Sequence, residues 1–487
     1  MRLLFNRTLR LNFCKFNPMS TVKKYTALVI LLMTFPTAQF IANQLMTEPS
    51  SEMYAYIPQE SDFVIEVNTR NFANELIYQR IYNEAYFMER IYPTDDDEME
   101  PPEQKFVNNG IDPFSKILIF REQWAEESIW FTVIRHRGED DIRRFIKERI
   151  PEAHVVFDGK YAIFQLNASK QQDEIDKHLE KIRSKAVKRF TERVNLTEVF
   201  DPQKEINAYF IPKNTAQNDL LDGYLSFDFL DDRILVDGSF SPVSGYQLTE
   251  PIAYAPDDQA PLSLRSSMNI LNSIYWFNEE KIDNLPEYEQ MAFDYYGMEC
   301  EMIHRNQGYS TPFLTSPLIQ LSIDINEKSI WQGFIDTLSV NGNILIDTAN
   351  THHFTTPEGA QFEYLLTDHL FQLRQDTFNL SPAEPSNVYF KMVMYPEKMI
   401  DGTTFSIHEK HPPSELEQTM GLIVANSLME QIRDFSNMDR ISFELTAESA
   451  AEILAHGEID MKRKDGNAIV ESLTFGSGAL IFIAGLQ

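Results

Sequence analysis

The chain has 487 residues, with 73 Asp and Glu against 43 Lys and Arg and a formal net charge of −30. A field of that sign repels phosphate backbones and anionic lipid head groups, which argues against nucleic acid as a partner. The 43% hydrophobic content is enough for a packed core, and two cysteines are too few for a disulfide scaffold.

Residues 1–24 carry Arg2, Arg7, Arg10, Lys15, Lys23 and Lys24 and no acidic residue. The uncharged stretch 25–47, Tyr25 to Thr47, follows, with its strongest part at Ala27–Met33. At ~1.5 Å of rise per residue, a segment of this length can cross a bilayer. Cationic flanks stay on the cytoplasmic side, so the expected topology is a basic cytoplasmic n-region, an inner-membrane anchor and a body in the periplasm. Pro36, Gln39, Asn43 and Gln44 weaken the second half of the span. A cleaved secretory signal with its apolar region at Thr26–Phe35, releasing the body into the periplasm, is the competing expectation. Ala38 and Ala42 have Pro36 and Phe40 at the −3 position, which suits cleavage poorly, and a buried core helix is a third reading. Met19 offers a start that gives a conventional short n-region. Beyond the n-region, 37 basic residues face 73 acidic ones, a net charge near −36. Cys14 and Cys300 fall on opposite sides of the expected anchor, so they cannot pair while it stays in the membrane.

The rest of the chain reads as one unit written twice, spanning 54–245 and 252–487. Each copy opens on Tyr-x-Pro, at Tyr56 and Tyr254, then a polar turn, a strand (Phe63–Val67, Pro261–Arg265) and a helical run (Phe72–Ile81, Met268–Tyr275). Glycine turns are expected next, at Gly110–Pro113 and Gly297–Cys300. The first copy continues with strands Lys116–Phe120 and Ile129–Ile134 and a helix Glu139–Glu148, whose Ile142, Phe145 and Ile146 share a face. The second continues with strand Leu318–Ile323 and helix Glu327–Asp336, with a matching stripe of Ile330, Phe334 and Ile335. Strands Val155–Phe157 and Tyr161–Phe164 form a hairpin through Gly159, and Ile344–Ile346 and Phe362–Leu366 stand in the same place in the second copy.

Each copy closes on strands: Ile206–Pro212, Gly223–Phe229 and Arg233–Phe240 in the first, and Asn387–Val393, Asp439–Leu445, His456–Met461 and Leu480–Ile483 in the second. A helix Ser414–Phe435 interrupts the second set. Its Met420, Ile423, Val424, Leu428, Met429 and Ile432 give it a broad apolar face, for internal packing or a partner. Alternation in these strands predicts antiparallel sheets with one wet and one buried face. The expected class is therefore α+β: two tandem related units of antiparallel sheet with packed helices, preceded by one N-terminal transmembrane or signal helix.

Tyr56-x-Pro58, Val64-Ile-Glu-Val67-Asn68, Gly110-Ile-Asp112 and Arg463-Lys-Asp-Gly-Asn467-Ala468 resemble exported Bacteroidota proteins of unknown function. In those proteins an Ile-Pro, an acidic turn, a strand and an asparagine follow an export segment. The resemblance covers most of 54–487, although the second copy lacks the asparagine after its strand. It implies an envelope location, tandem α+β domains and no known cofactor or catalytic residue.

No catalytic, cofactor or metal residue is assigned from the sequence. Asp95–Glu98 with Glu100 and Glu103 lacks the spacing of an EF-hand and reads as a solvated loop. Asp231-Asp232 reads as a hairpin turn. His352-His353 would point to opposite faces of a strand and has no third ligand at zinc spacing. Ser329, Asp347 and His352 make a triad only on paper, and no nucleophile elbow occurs, Gly476-Ser-Gly478 included. Tyr78, Tyr82, Tyr86 and Phe87 line a helix face that suits packing on the sheet or, failing that, a lipid or sugar. The sequence alone points to a membrane-anchored envelope protein of the non-enzymatic binding or assembly kind, with another envelope protein as a possible partner. A hydrolase or ligand-binding enzyme with a site between the units is the alternative.

Overall fold

The computed structural model describes residues 51–82, 110–112, 115–124, 127–149, 153–167, 171–211, 220–242, 250–268, 286–303, 313–340, 345–346, 353–355, 361–374, 380–408, 437–449, 452–463 and 466–469. The stretch 25–47, the acidic cluster 95–103 and the helix expected at 414–435 lie outside them, as do Gly476–Gly478 and the last expected strand. Among the described residues no helix is long and apolar enough to cross a membrane. Residues 53–487 form one compact unit.

This unit is mostly antiparallel sheet with packed helices. Strands β1 (Phe63–Asn68), β2 (Lys116–Trp124), β3 (Glu127–Arg135), β4 (Val155–Asp158) and β5 (Tyr161–Gln165) are followed by β6 (Ile206–Phe210), β7 (Leu220–Phe229) and β8 (Arg233–Pro242). They lie in the order β4-β5-β3-β2-β1-β6-β7-β8, every pair antiparallel. Next in the chain come β9 (Leu262–Ser266), β10 (Gln290–Ile303), β11 (Phe313–Asp324), β12 (Leu345–Ile346), β13 (His353–Thr355), β14 (Gln361–Leu366) and β15 (Leu370–Arg374). The last are β16 (Val388–Met394), β17 (Thr403–His408), β18 (Met438–Ser449) and β19 (Glu452–Met461). Their order is β12-β13-β14-β15-β11-β10-β9-β16-β18-β19. From β14 inward, the pairing sequence is that of the first series, strand for strand. The two series meet where β8 pairs antiparallel with β19, Ile234 opposite Ile459 and Phe240 opposite Ile453. β17 alone runs parallel to its neighbour, beside the second half of β10.

Helices fill the connections: α1 (Thr69–Tyr82) after β1, α2 (Glu139–Arg149) after β3, α3 (Gln172–Arg183) after β5, α4 (Lys328–Val340) after β11 and α5 (Pro396–Asp401) after β16. The expected stripe on α2 holds, with Ile142 and Ile146 buried against Ile134, Ala162 and Phe164. On α4 the buried residues are Trp331 and Ile335, with Phe334 packed beside them, while Ile330 is 54% exposed. Trp331 stacks on Phe371, and that anchor rotates the helix away from the stripe read from the aliphatic residues alone.

The glycine turn expected at Gly297 is absent. Gly297 lies inside β10, at the point where its register with β11 shifts by a residue. Its φ of 150° and the carbonyl of Gly402, which a Cβ would strike, explain the glycine: a bulge under a close backbone approach. Gly110 is different. At φ 76° it turns the chain so that Asp112 meets Arg137 at 3.1 Å and Arg135 at 3.4 Å.

The one wet and one buried face expected of the closing strands holds in β8, whose residues alternate between buried and more exposed, but not in β6, where Ile206 to Tyr209 are all buried. Val64 and Ile65 are adjacent in β1 and both buried, in different clusters. On one face lie Leu118, Phe120, Phe131 and Ile163, covered by Ile175, Leu179 and Ile182 of α3 and by Phe190, Leu196 and Phe200 after it. On the other face, Ile65, Ile119 and Ile206 pack with Phe72 of α1 and with Ala468 and Ile469 near the C-terminus. The segment 466–469 is tied down by polar contacts: Asn467 Nδ2 donates to Glu75 at 2.9 Å, and the Ala468 amide to the Leu230 carbonyl at 3.0 Å. A sheet covered twice must bury some polar groups, and such groups need partners. Glu66 accepts from Tyr54 Oη at 2.6 Å and Lys116 Nζ at 2.7 Å.

Candidate functional site

The two series differ in one connection. Between β5 and β6 the chain has residues 166–205, which supply α3 and the turns that cover the sheet. Between β15 and β16 it has only 375–387. Among the described residues the second series therefore shows no counterpart of α3, and the side chains change with it. In the first series the cross-strand row on the α3 face runs Glu66, Leu118, Val133, Ile163. In the second, the row on the face away from α4 runs Arg265, Ala292, Ser322, Gln372. Pairing alternates faces along each strand, so Met291, Ile323 and Phe371, the intervening row, point the other way into the α4 core.

At this place lies an open cleft of about 630 Å³. It is lined by Ser322 and Asp324 of β11, Leu370 and Gln372 of β15, and Tyr254 and Leu380 from two segments that pair with each other, with Glu289 and His369 also contributing. Those segments are joined by the Ala255 amide donating to the Ser381 carbonyl and the Ala383 amide to the Ala253 carbonyl, both at 2.9 Å. Gln372 Nε2 donates to Ser322 Oγ at 3.3 Å. Burial, and then the charge of Glu289, push the Asp324 carboxyl above its ordinary value. Burial, and then Asp324, push the Tyr254 phenol up as well. Among the described lining residues none is Lys or Arg. Carboxylates, amides and a phenol, with leucines beside them, can accept and donate hydrogen bonds to a polar ligand and attract a cation.

The strands beside the cleft are set by a buried ion pair. Arg265 and Asp294 are each 2% exposed and meet in two parallel bonds, Nη1–Oδ1 at 2.9 Å and Nη2–Oδ2 at 3.0 Å. Arg265 also donates to the carbonyls of Ala255, Leu264 and Phe293. Ser263 Oγ donates to Asp294 at 2.6 Å. The guanidinium thus fixes the Tyr254 segment to β9 and β10.

A smaller depression of about 160 Å³ lies where β16, β18 and β19 run together. Its charged groups pair across strands: Lys391 with Glu444 at 3.0 Å, and Arg233 with Glu458. His456 meets Asp237 beside them at 3.0 Å.

The candidates weighed in the sequence fall elsewhere. Asp231 and Asp232 form the β7–β8 turn, where Asp232 pairs with Arg233 at 2.9 Å. His353 lies in β13 opposite Glu363, whereas His352 and Asp347 lie outside the described residues. Ser329, on α4, donates to Glu327. Tyr78 is half exposed on α1, and Tyr86 and Phe87 lie outside the described residues. Cys300 pairs in register with Thr315 and Phe405 through the β10 backbone. Among the described residues no group of three His, Cys, Asp or Glu is placed to hold a metal. Asp324 and Gln372 belong to no sequence motif. Their signal is local: polar residues alternating with Leu321, Ile323 and Leu373, followed by a connection too short to hold a covering helix.

No protein-family model matches the chain, and no curated protein matches it. Crystal structures of TP0453 are similar to part of it. Form IV has 10% identity and a TM-score of 0.24, over 39% of this chain and 79% of that one. Forms III and I have 9% identity at the same TM-score of 0.24, each over 40% of this chain. A likeness of that score carries no argument about fold or role.

Proposed function

We propose that the protein is a membrane-anchored component of the cell envelope. The Tyr25–Thr47 segment holds it in the inner membrane, and an acidic body of two related α+β units, 54–245 and 252–487, lies in the periplasm and acts as a non-enzymatic binding module. The six N-terminal cations and the net charge near −36 beyond them support the placement. The binding reading is carried by the cleft over β11 and β15, where a polar row on the sheet lies on the face that no described helix covers.

A hydrolase is the second reading, because burial and then the charge of Glu289 raise the Asp324 carboxyl above its ordinary value, the direction a general acid requires. The cleft lies within the second series of strands, not between the two, and Glu289 and His369 are exposed, which favours binding. Two measurements test the proposal. Fractionation should return the chain with membranes, and a C-terminal reporter should be active only outside the cytoplasm; a cytosolic product refutes the placement. Protein tagged and isolated from membranes should carry a ligand or partner whose capture Leu380→Trp, which sets a larger ring in the cleft, weakens. Unchanged capture by Leu380→Trp refutes the binding reading.

A further inference from the structure

We infer that the cleft over β11 and β15 binds an amino sugar: a polyhydroxylated ring whose primary ammonium sits against Asp324 and Glu289. The inference rests on the binding reading above and names the ligand class.

Cleft and ring are complementary in size, polarity and charge. A volume of about 630 Å³ suits a short oligosaccharide. Its described polar lining consists of planar or hydroxyl groups, Ser322, Asn326, Gln372, Asp324, Glu289, His369 and the Tyr254 phenol, which is what vicinal hydroxyls require as alternating donors and acceptors. Tyr254 and Leu380 offer apolar surface to the C–H face of a ring. With two carboxylates and no described Lys or Arg in the lining, a phosphorylated or carboxylated ligand would be repelled and a cation attracted. Burial together with the Glu289 charge holds Asp324 above its ordinary value. An ammonium between the two carboxylates favours their charged forms and so opposes both effects. The titratable groups facing Asp324 are Glu289, Tyr254 and His369.

The full chain, held in a sugar-free detergent, is titrated calorimetrically with the glucosamine trimer, its N-acetylated counterpart and the galacturonate trimer. The glucosamine trimer should bind at least ~10-fold tighter than the N-acetylated one, the size of one charge-assisted hydrogen bond. The galacturonate trimer should give no heat. Asp324→Asn should abolish the preference for the free amine, and Gln372→Leu should weaken both amino-sugar ligands. No binding of the glucosamine trimer at roughly 10 mM overturns the inference, as does equal affinity for the acetylated ligand or a preference that survives Asp324→Asn. Such a failure leaves the binding reading standing if Leu380→Trp still weakens capture in cells.

Discussion

Removing the Asp294 carboxylate isolates what holds the second series of strands together. In Asp294→Ala the Arg265 guanidinium keeps its bonds to three carbonyls but loses both bonds to a counter-ion, at a position 2% exposed. Ser263 Oγ loses its acceptor as well. An uncompensated buried charge of this kind costs about 3–5 kcal/mol, a large part of a typical total of about 5–15 kcal/mol. With a urea dependence of about 1–3 kcal/mol/M, the midpoint should fall by roughly 1 M or more. The double change Arg265→Met with Asp294→Leu should recover most of the loss, because attraction within a buried pair about offsets the cost of desolvating it. Urea unfolding followed by fluorescence gives the midpoints, and hydrogen exchange should show the Tyr254 segment and β9 losing protection first. A midpoint for Asp294→Ala within ~0.3 M of the parent, or a double variant weaker than the single one, would refute the assignment of the pair as a clamp.

Three further outcomes are expected. Asp324 has a folded-state value above its unfolded one, so its ionisation costs stability. The cost is absent below about pH 4, grows as pH rises and is complete above the folded value. Asp324→Asn should therefore raise the unfolding midpoint at pH 7, with the gain vanishing as pH falls toward 4; a gain independent of pH would contradict this. On α4, Trp331→Ala should cost ~3–5 kcal/mol and Ile330→Ser less than ~0.5 kcal/mol by denaturant titration, and the reverse order would restore the stripe read from the sequence. Ile469 is 1% exposed in the cluster formed with Phe72 and Ile234. Ile469→Ala should cost ~2–5 kcal/mol and raise exchange in β1 and β6, strands distant in sequence, whereas loss of protection confined to the C-terminus would show that the segment does not brace them.

Legibility in the sequence followed the range of the interactions. Helix α2 and the β4–β5 and β7–β8 hairpins were legible because periodicity and turn chemistry act within a few residues. Gly297 was misread for the same reason. A glycine that admits a neighbouring backbone looks locally like one that makes a turn, and the neighbour, Gly402, is far along the chain. The α4 stripe was right at Phe334 and Ile335 and missed at Ile330, because Trp331 found Phe371 across the core.

By itself the sequence determined the mixture of strands and helices, most of the elements of the first series, the acidic balance and the basic flank of an apolar segment, all properties that composition and local pattern carry. Tertiary structure alone decided that β8 and β19 join two strand series edge to edge, and that residues 466–469 close a core begun at residue 63. It also decided that the face covered by α3 in one series carries, among the described residues, a polar cleft in the other. Each of these depends on which distant surfaces meet, and the burial of apolar surface that drives folding is a property of those meetings rather than of any single stretch of chain.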